Sequence, residues 1–504
     1  MPEDRVDEPY HSERAELKVK VARTIKWTVI DKVSVQILYA LTGIVLAIKL
    51  THADFGLVGA VLVFQAFGSL FVDSGFASAL LQRKSPTQDD YSTVLWFNIF
   101  MATALYVILF FAAPLIADCY DGDKRIIPLA RVMFLTFIIN ATSIVQVNRL
   151  NKHLEMKKVT IANSVGVFSG AVTGIGMAVT GCGAWSIVGQ SLVLSTIKSL
   201  VLWYMTSWRP SAVFSFKILR SFFKVGSSVM ISSFFNTLYL NIYAFIIGNR
   251  VGMVALGYYS QADKWSKIGV SSLGAVVTSS FLPLLSRYQD EPVEYAAVTS
   301  KCNRLTAYIS IPALGMLAAL APAIFHALFG NKWDGSISLF QLLLLQGVFV
   351  VLSGLYTNVI LARGKAKLLV VSETVRYIVA AVAIVVTLPY ISLSTPTDVT
   401  EGIRILLYGQ IVASAVFWAI MTVIAANVSG RRWWQMLKDI FPYLIESLLA
   451  VWVISLIVNS SLSPKTVIPL ALAAGCTIYF SLNRLFHSRI QSDAIDFLRK
   501  RSEK

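Results

Sequence analysis

Asp263, Lys264 and Lys267 fall within five positions of an otherwise apolar run, Leu256-Gly-Tyr-Tyr-Ser-Gln-Ala-Asp-Lys-Trp-Ser-Lys267. On a helix the two lysines, three apart, share a face, and Asp263 reaches Lys267 at i, i+4. Two cations then stand against one anion. A net positive patch in a low-dielectric setting suits an anionic solute such as a diphosphate; a structural ion-pair cluster is the competing account. This is the chemistry of holding, not of bond-making. The chain shows no nucleophile–base set and no metal-ligand cluster, and its five histidines (His11, His52, His153, His326, His487) are dispersed. No catalytic residue, metal or cofactor is expected, and the protein reads as no enzyme.

Other charges lie in similarly apolar surroundings. Asp31 and Lys32 are adjacent, so on a helix they point about 100° apart and do not face each other. One can face a cavity while the other pairs with a neighbouring helix. Asp73 stands in Phe71-Val-Asp-Ser-Gly-Phe-Ala-Ser-Ala-Leu-Leu-Gln-Arg-Lys84, a carboxylate inside a run that closes on Arg83 and Lys84. Upstream of Lys264, the residues Ser232, Ser233, Asn236, Tyr239, Asn241 and Tyr243 would suit sugar hydroxyls, and equally hydrogen bonds between helices. Some charges have plainer readings. Lys26 and Lys224 lie near helix ends and can snorkel. Glu373 and Arg376, three apart, can neutralise each other. Lys198 and Arg131 are lone cations that either line a path or sit near an interface, and Glu446 lies near the end of a C-terminal span.

Composition says which elements carry these residues. The chain has 504 residues, 56% hydrophobic and 14% charged, with a mean hydropathy of +0.66. Soluble domains run at roughly 45–50% apolar and about 25% charged. Apolar runs long enough to cross a bilayer recur along nearly the whole length. The fold class is an all-α polytopic membrane protein. The net charge of +16 raises nucleic acid as a partner. The basic residues instead fill short gaps between apolar runs and form no reader motif, so no nucleic acid is expected. The first twenty residues lack an apolar h-region, so the first apolar run reads as a retained span. Cys119, Cys182, Cys302 and Cys476 show no paired spacing; Cys119 and Cys182 can both face outward, and unpaired thiols are the expectation.

Fourteen spans are predicted, near 24–48, 55–81, 91–116, 126–147, 159–180, 185–207, 220–247, 255–286, 303–328, 337–362, 367–389, 403–427, 439–459 and 465–483. With the N-terminus inside, the inward segments carry 29 Lys and Arg and the outward loops 7. That bias puts both termini in the cytoplasm.

Two regions resemble each other. Asp54-Phe-Gly-Leu57 opens a span ending Ala79-Leu-Leu-Gln-Arg83, and Ala255-Leu-Gly-Tyr258 opens one ending Pro283-Leu-Leu-Ser-Arg287. They fall in spans 2 and 8. An offset of six predicts two six-helix lobes related by an axis along the membrane normal. The expected domains are an N-terminal tail (1–23), an N-lobe (24–207), a cytoplasmic connector (208–219), a C-lobe (220–427), two accessory helices (428–483) and a C-terminal tail (484–504).

These stretches carry a resemblance to a known family. Asp54-Phe-Gly-Leu-Val-Gly59, the run from Phe71 to Leu80 with Gln82-Arg-Lys84, and the run from Leu256 to Asp263 with Phe281-Leu-Pro-Leu-Leu-Ser286 are similar to bacterial polysaccharide flippases of the colanic-acid-exporter type. Gly330-Asn-Lys-Trp333 and Leu361-Ala-Arg-Gly-Lys365 also look like that family, which lies in the multidrug/oligosaccharidyl-lipid/polysaccharide exporter superfamily. The likeness spans roughly residues 20–430. It implies twelve core helices in two lobes around a central cavity, often with two extra helices, and alternating access in the bacterial inner membrane. It implies a lipid-linked glycan substrate, oligosaccharide units on undecaprenyl diphosphate, moved for lipopolysaccharide, capsule or exopolysaccharide synthesis. A glycan polymerase and export machinery are the implied partners.

Peptidoglycan-precursor flippases of the superfamily carry a similar tyrosine, aspartate and basic signature in helix 8, whose basic residue lines the cavity; Lys264 resembles it. In helix 2 they carry an acid followed by Gly and Phe, and Asp73 looks similar. They precede that acid with arginine, where this chain has Gly68-Ser69, so the partner of Asp73 must come from elsewhere; Lys32 is expected. Many relatives have an acid after the helix 7 Asn, whereas Asn241 is followed by Ile242 and Tyr243, which leaves a coupling role there unsupported. Spacing and resemblance together give the expected site: Lys264, Lys267 and Lys32 hold the diphosphate, and Asp73, Asp31 and Asp263 are cavity acids. Asp73 or Asp31 would couple to protons, and Asn236, Tyr239, Asn241 and Tyr243 would contact sugars. Two alternatives fit less well. A cation or drug antiporter predicts an acid-dominated cavity, and a membrane polymerase or ligase needs extramembrane room that the short loops do not give.

Overall fold

The structure, a computed structural model, describes residues 8–73, 76, 80, 82–393, 398–460, 463–486 and 490–491. Among them there is no strand. The first unbroken spans are α1 (Glu8–Lys49), α2 (His52–Asp73) and α3 (Gln88–Asp118). α4 follows in two segments, Ile126–Met133 and Leu135–Lys152, broken at Phe134. Then come α5 (Met156–Val179), α6 (Trp185–Met205), α7 (Phe216–Arg250), α8 (Met253–Arg287), α9 (Pro292–Phe329) and α10 (Asp334–Ala362). The chain continues with α11 (Ala366–Thr387), α12 (Glu401–Ser429), α13 (Trp433–Val458) and α14 (Pro464–Leu485). Among the described residues thirteen stretches are long and apolar enough to cross a membrane, and one of them, Pro292–Ala362, holds both α9 and α10. The protein is a multi-pass helical membrane protein.

Among the described residues each of the fourteen predicted spans has its helix, and the differences lie at their ends; most of the predicted second span beyond Asp73 lies outside the described residues. α1 begins at Glu8 rather than near 24, and α9 at Pro292 rather than near 303. Both extensions are polar. Glu, Lys, Arg and Ala favour helix as well as apolar residues do, and Pro292 occupies a first-turn position where its missing N–H costs nothing. The helices therefore outrun the apolar runs that mark the spans.

Lipid tails are as apolar as Leu, so helix association inside a bilayer relies on close packing rather than on the hydrophobic effect. α5 presents Gly166, Gly170 and Gly174 one turn apart, and α6 faces them with Gln190, Leu194 and Lys198. A Cβ on Gly170 would stand 2.8 Å from the Gln190 carbonyl oxygen, and one on Gly166 3.0 Å from Lys198 Cβ. This stripe fixes the backbone of Lys198 against α5. α3 shows the lipid-facing counterpart: Phe100, Ile108, Phe111 and Leu115 lie exposed at helical spacing, while Val94, Leu95, Asn98 and Ala102 are buried. Large apolar side chains left outside in a continuous band are what a bilayer solvates.

Packing divides the chain into two compact units, 1–257 and 258–504. This division follows contacts, whereas the expected lobes 24–207 and 220–427 were drawn from the repeat. α7 packs on α2 and so joins unit 1. Within unit 1 the two repeated openings meet. A Cβ on Gly56 of α2 would lie 1.8 Å from the Met253 carbonyl oxygen, and one on Gly257 of α8 would lie 2.0 Å from that of His52. Each glycine abuts the backbone four residues before the other, a reciprocal contact that only a missing side chain permits. In unit 2, α13 and α14 pack on α9 through Met316, Leu320, Ala450, Ile454, Ala471 and Tyr479.

The stretches that carry the family resemblance hold helix ends together. Asp54 Oδ2 accepts from Thr51 N at 2.8 Å and Asp54 N donates to Thr51 Oγ1 at 3.2 Å, a capping box opening α2. Asp54 Oδ1 also accepts from Ala184 N at 2.9 Å, which ties α2 to the α5–α6 turn. Arg83 pairs with the buried Asp90 at 2.8 Å and covers the Phe222 ring at 5.2 Å. Trp333 is fully buried, 6.0 Å from the Tyr258 ring, and Ser336 donates to the Tyr258 carbonyl at 2.8 Å. Arg363 covers the Tyr295 ring at 4.2 Å, and Tyr295 donates to the Val359 carbonyl at 2.5 Å.

Candidate functional site

The α8 cluster forms as its spacing requires. Lys267 Nζ lies 2.6 Å from Asp263 Oδ2. Lys264, turned about 100° from Asp263, takes a different environment. Its Nζ lies 5.6 Å from the Trp265 ring centroid, and among the described residues of unit 2 no carboxylate pairs with it. The Trp265 indole N–H is buried and has no acceptor among the described residues. Asp263 and Lys267 cancel; the positive charge of the patch is that of Lys264. A cation–π contact offsets part of its desolvation, about 0.5–2 kcal/mol, and supplies no counter-charge.

A second group assembles from three helices of unit 1. Asn163 Nδ2, on α5, donates to both carboxylate oxygens of Asp31, on α1, at 3.2 and 3.3 Å. Lys198, on α6, interacts electrostatically with that carboxylate. It forms no ion pair or hydrogen bond among the described residues. Asn163 lies one turn before Gly166, where α5 touches Lys198, so the glycine stripe that joins the two helices also builds this group.

Lys198 lines a cavity of about 460 Å³. The end of α2 contributes Ser69, Leu70 and Val72 to its wall. One face of α4 supplies the rest, with Asn140, Ser143 and Asn148 as polar groups and Phe137, Ile144 and Val147 as apolar ones. These residues recur every three or four positions, as one face of a helix does.

The remaining predicted residues are dispersed. Lys32 is exposed. The side chain of Asp73, and with it the expected Lys32–Asp73 pair, lies outside the described residues. On α7, Asn236 is exposed and Tyr239 partly buried. Asn241 turns its amide to its own helix, donating to the Thr237 carbonyl at 2.8 Å. Tyr243 is 1% exposed, and its hydroxyl has no partner among the described residues. Glu373 and Arg376 pair at 2.5 Å. Arg131 covers the Phe110 ring at 4.2 Å and donates to its carbonyl at 3.2 Å, and Glu446 is buried.

Sequence reasoning missed Asn163 and the polar face of α4. Both leave a signal. Gly166, Gly170 and Gly174 are a small-residue stripe of the kind that packs helices in membranes. Asn140, Ser143 and Asn148 put polar groups on one side of a span at helical period.

Comparison with known proteins gives the lineage. A family model described as "Polysaccharide biosynthesis protein" matches residues 45–338. The teichuronic acid biosynthesis protein TuaB of Bacillus subtilis (strain 168) is 26% identical over 348 residues, 68% of this chain and 71% of that protein. The lipopolysaccharide biosynthesis protein WzxC of Escherichia coli (strain K12) is 24% identical, over 66% of this chain and 68% of that one. The succinoglycan biosynthesis transport protein ExoT of Rhizobium meliloti (strain 1021) is 24% identical, over 62% and 63%. In fold, the chain is similar to the lipid II flippase MurJ in an inward closed conformation, with a TM-score of 0.73 at 13% identity over 92% of this chain and 99% of that one. It is also similar to an inward-facing multidrug resistance MATE family transporter of the MOP superfamily, with a TM-score of 0.57 at 15% identity over 78% and 96%. Because the family model covers more than half of its length, the chain belongs to the polysaccharide biosynthesis protein family.

Proposed function

We propose that this protein flips undecaprenyl-diphosphate-linked oligosaccharide units across the bacterial inner membrane by alternating access, with both termini in the cytoplasm and lobes 24–207 and 220–427. The observation that carries the reading is Lys264. A lysine with a purely structural role inside a span is paired or reaches the interface. Lys264 instead lies over an aromatic ring and pairs with no carboxylate among the described residues of unit 2, while its neighbour Lys267 is already neutralised by Asp263. Such an ammonium keeps its field for an anion that arrives from outside, as a lipid-linked diphosphate does. The relatives support the substrate class, since their names place them in lipopolysaccharide, succinoglycan and teichuronic acid biosynthesis. On this reading Asn236 and Tyr239 contact sugars, Asp31 and Asp73 are the acids for proton coupling, and a glycan polymerase consumes the product.

A deletion strain tests the proposal. Diphosphate-linked repeat units should accumulate on the cytoplasmic side and surface glycan should be lost. Fully polymerised glycan at the surface of that strain would refute the function.

A further inference from the structure

Resting on the flippase reading, we propose that the unit 1 cavity walled by α2, α4 and α6 recognises the glycan itself, taking a sugar that bears a single carboxylate with Lys198 as its counter-ion. The charges argue for this class. Lys198 has three N–H donors, and none is used by a described protein group. Both oxygens of Asp31 are engaged by Asn163, which holds the carboxylate in place, and its charge offsets part of the field of Lys198. A diphosphate, with two or more negative charges, is poorly matched by a single cation that is already partly compensated. One carboxylate is well matched, because a charge-assisted hydrogen bond needs one donor and one anion.

The walls fit the rest of a sugar. Ser143 and Asn148 each spend a donor on their own helix, to the carbonyls of Asn140 at 3.1 Å and Ile144 at 3.0 Å. Their remaining oxygen lone pairs face ring hydroxyls as acceptors, and the Asn140 amide adds donors. Phe137, Ile144 and Val147 give the C–H face of a pyranose an apolar surface. Phe137 is fixed: its ring stacks on Phe134 with centroids 5.5 Å apart, and a Cβ on Gly68 would meet its Cζ at 2.4 Å. The cavity, about 460 Å³, lies in the range of small-ligand pockets.

Binding to the purified full-length protein in lipid nanodiscs tests the proposal, with methyl glucuronide, methyl glucoside and inorganic diphosphate as probes. Wild type should bind the glucuronide about tenfold more tightly than the glucoside. Lys198→Gln should erase that preference, Lys198→Arg should keep it within about threefold, and neither should change diphosphate binding. Equal affinity of wild type for the two glycosides overturns the proposal, as does a glucuronide preference that survives Lys198→Gln. Diphosphate binding that falls with Lys198→Gln assigns the cavity to the lipid carrier's headgroup and overturns it too. If Lys198→Gln does not fold, Asn140→Leu, which removes the amide that donates to sugar hydroxyls, decides: loss of glucuronide with diphosphate kept supports the site, and retention overturns it. A wild type that binds glucuronide through Lys198 but no diphosphate at any site counts against the flippase reading and leaves this site standing.

Discussion

The α8 cluster and the Asp31–Asn163–Lys198 group each set lysine against aspartate and differ in where the partners come from. In α8 the carboxylate and its lysine lie on one helix, four positions apart and 2.6 Å apart in space. That pair persists whatever the neighbouring helices do. Lys264 is left over because a neighbour in sequence is rotated away from Asp263. In unit 1 each member comes from a different helix, and the group exists only while α5 and α6 stay in register along their glycine stripe. A local pair can neutralise permanently. A tertiary group can be dismantled by a small helix rotation.

The largest effect should come from breaking that register. Gly170→Leu drives a side chain into the Gln190 carbonyl and Leu194, and should destabilise the protein by about 1–3 kcal/mol. Its thermal melt in detergent should fall well below that of wild type, while the Asp263–Lys267 pair is untouched. A wild-type melt would show that the stripe does not set the packing. Next is the double-mutant cycle of Asp31→Asn and Lys198→Gln. The two changes should be non-additive by about 0.5–1 kcal/mol, because they share one electrostatic interaction across helices. Strict additivity would separate them.

Lys267→Ala should change translocation less than Lys264→Ala, because Lys267 is already paired with Asp263. A larger loss of transport than in Lys264→Ala would reverse the roles assigned to the two lysines.

The smallest effect lies outside the membrane spans. Asp398 accepts from the Thr400 hydroxyl at 2.7 Å and the Thr400 N–H at 3.0 Å and pairs with Arg404, which holds its carboxyl below its ordinary value of 3.8. A depressed folded-state pKa stabilises above the unfolded value and loses that contribution as pH falls through the folded value. Wild type should therefore be slightly more stable than Asp398→Asn at pH 7, and the gap should close on acidification below about pH 4. A gap independent of pH would remove the carboxylate from the explanation.

What was legible in the sequence follows the same division between local and tertiary. Fourteen apolar runs gave fourteen helices because burial in lipid demands continuous apolar length. The ends were misread where polar helix formers carry α1 back to Glu8 and α9 back to Pro292. The Asp263–Lys267 pair was legible because helical spacing alone makes it. Asn163 beside Asp31 was not, since no spacing within one helix brings α1 and α5 together. The repeated glycine openings were visible as similarity, but that Gly56 and Gly257 touch each other's helices needed coordinates. Asp54, Trp333 and Arg363 were visible as shared motifs; their work as caps and plugs between helix ends was not.

The most direct measurement is flipping itself. Purified protein is reconstituted with an undecaprenyl-diphosphate-linked oligosaccharide, and the fraction of glycan exposed to an added glycosidase is followed with time. Wild type should expose glycan that protein-free liposomes keep hidden, Lys264→Arg should retain most of that rate, and Lys264→Ala should lose at least about tenfold, or about 1.4 kcal/mol of barrier. A Lys264→Ala rate equal to wild type, or a wild-type rate no faster than protein-free liposomes, would contradict the account.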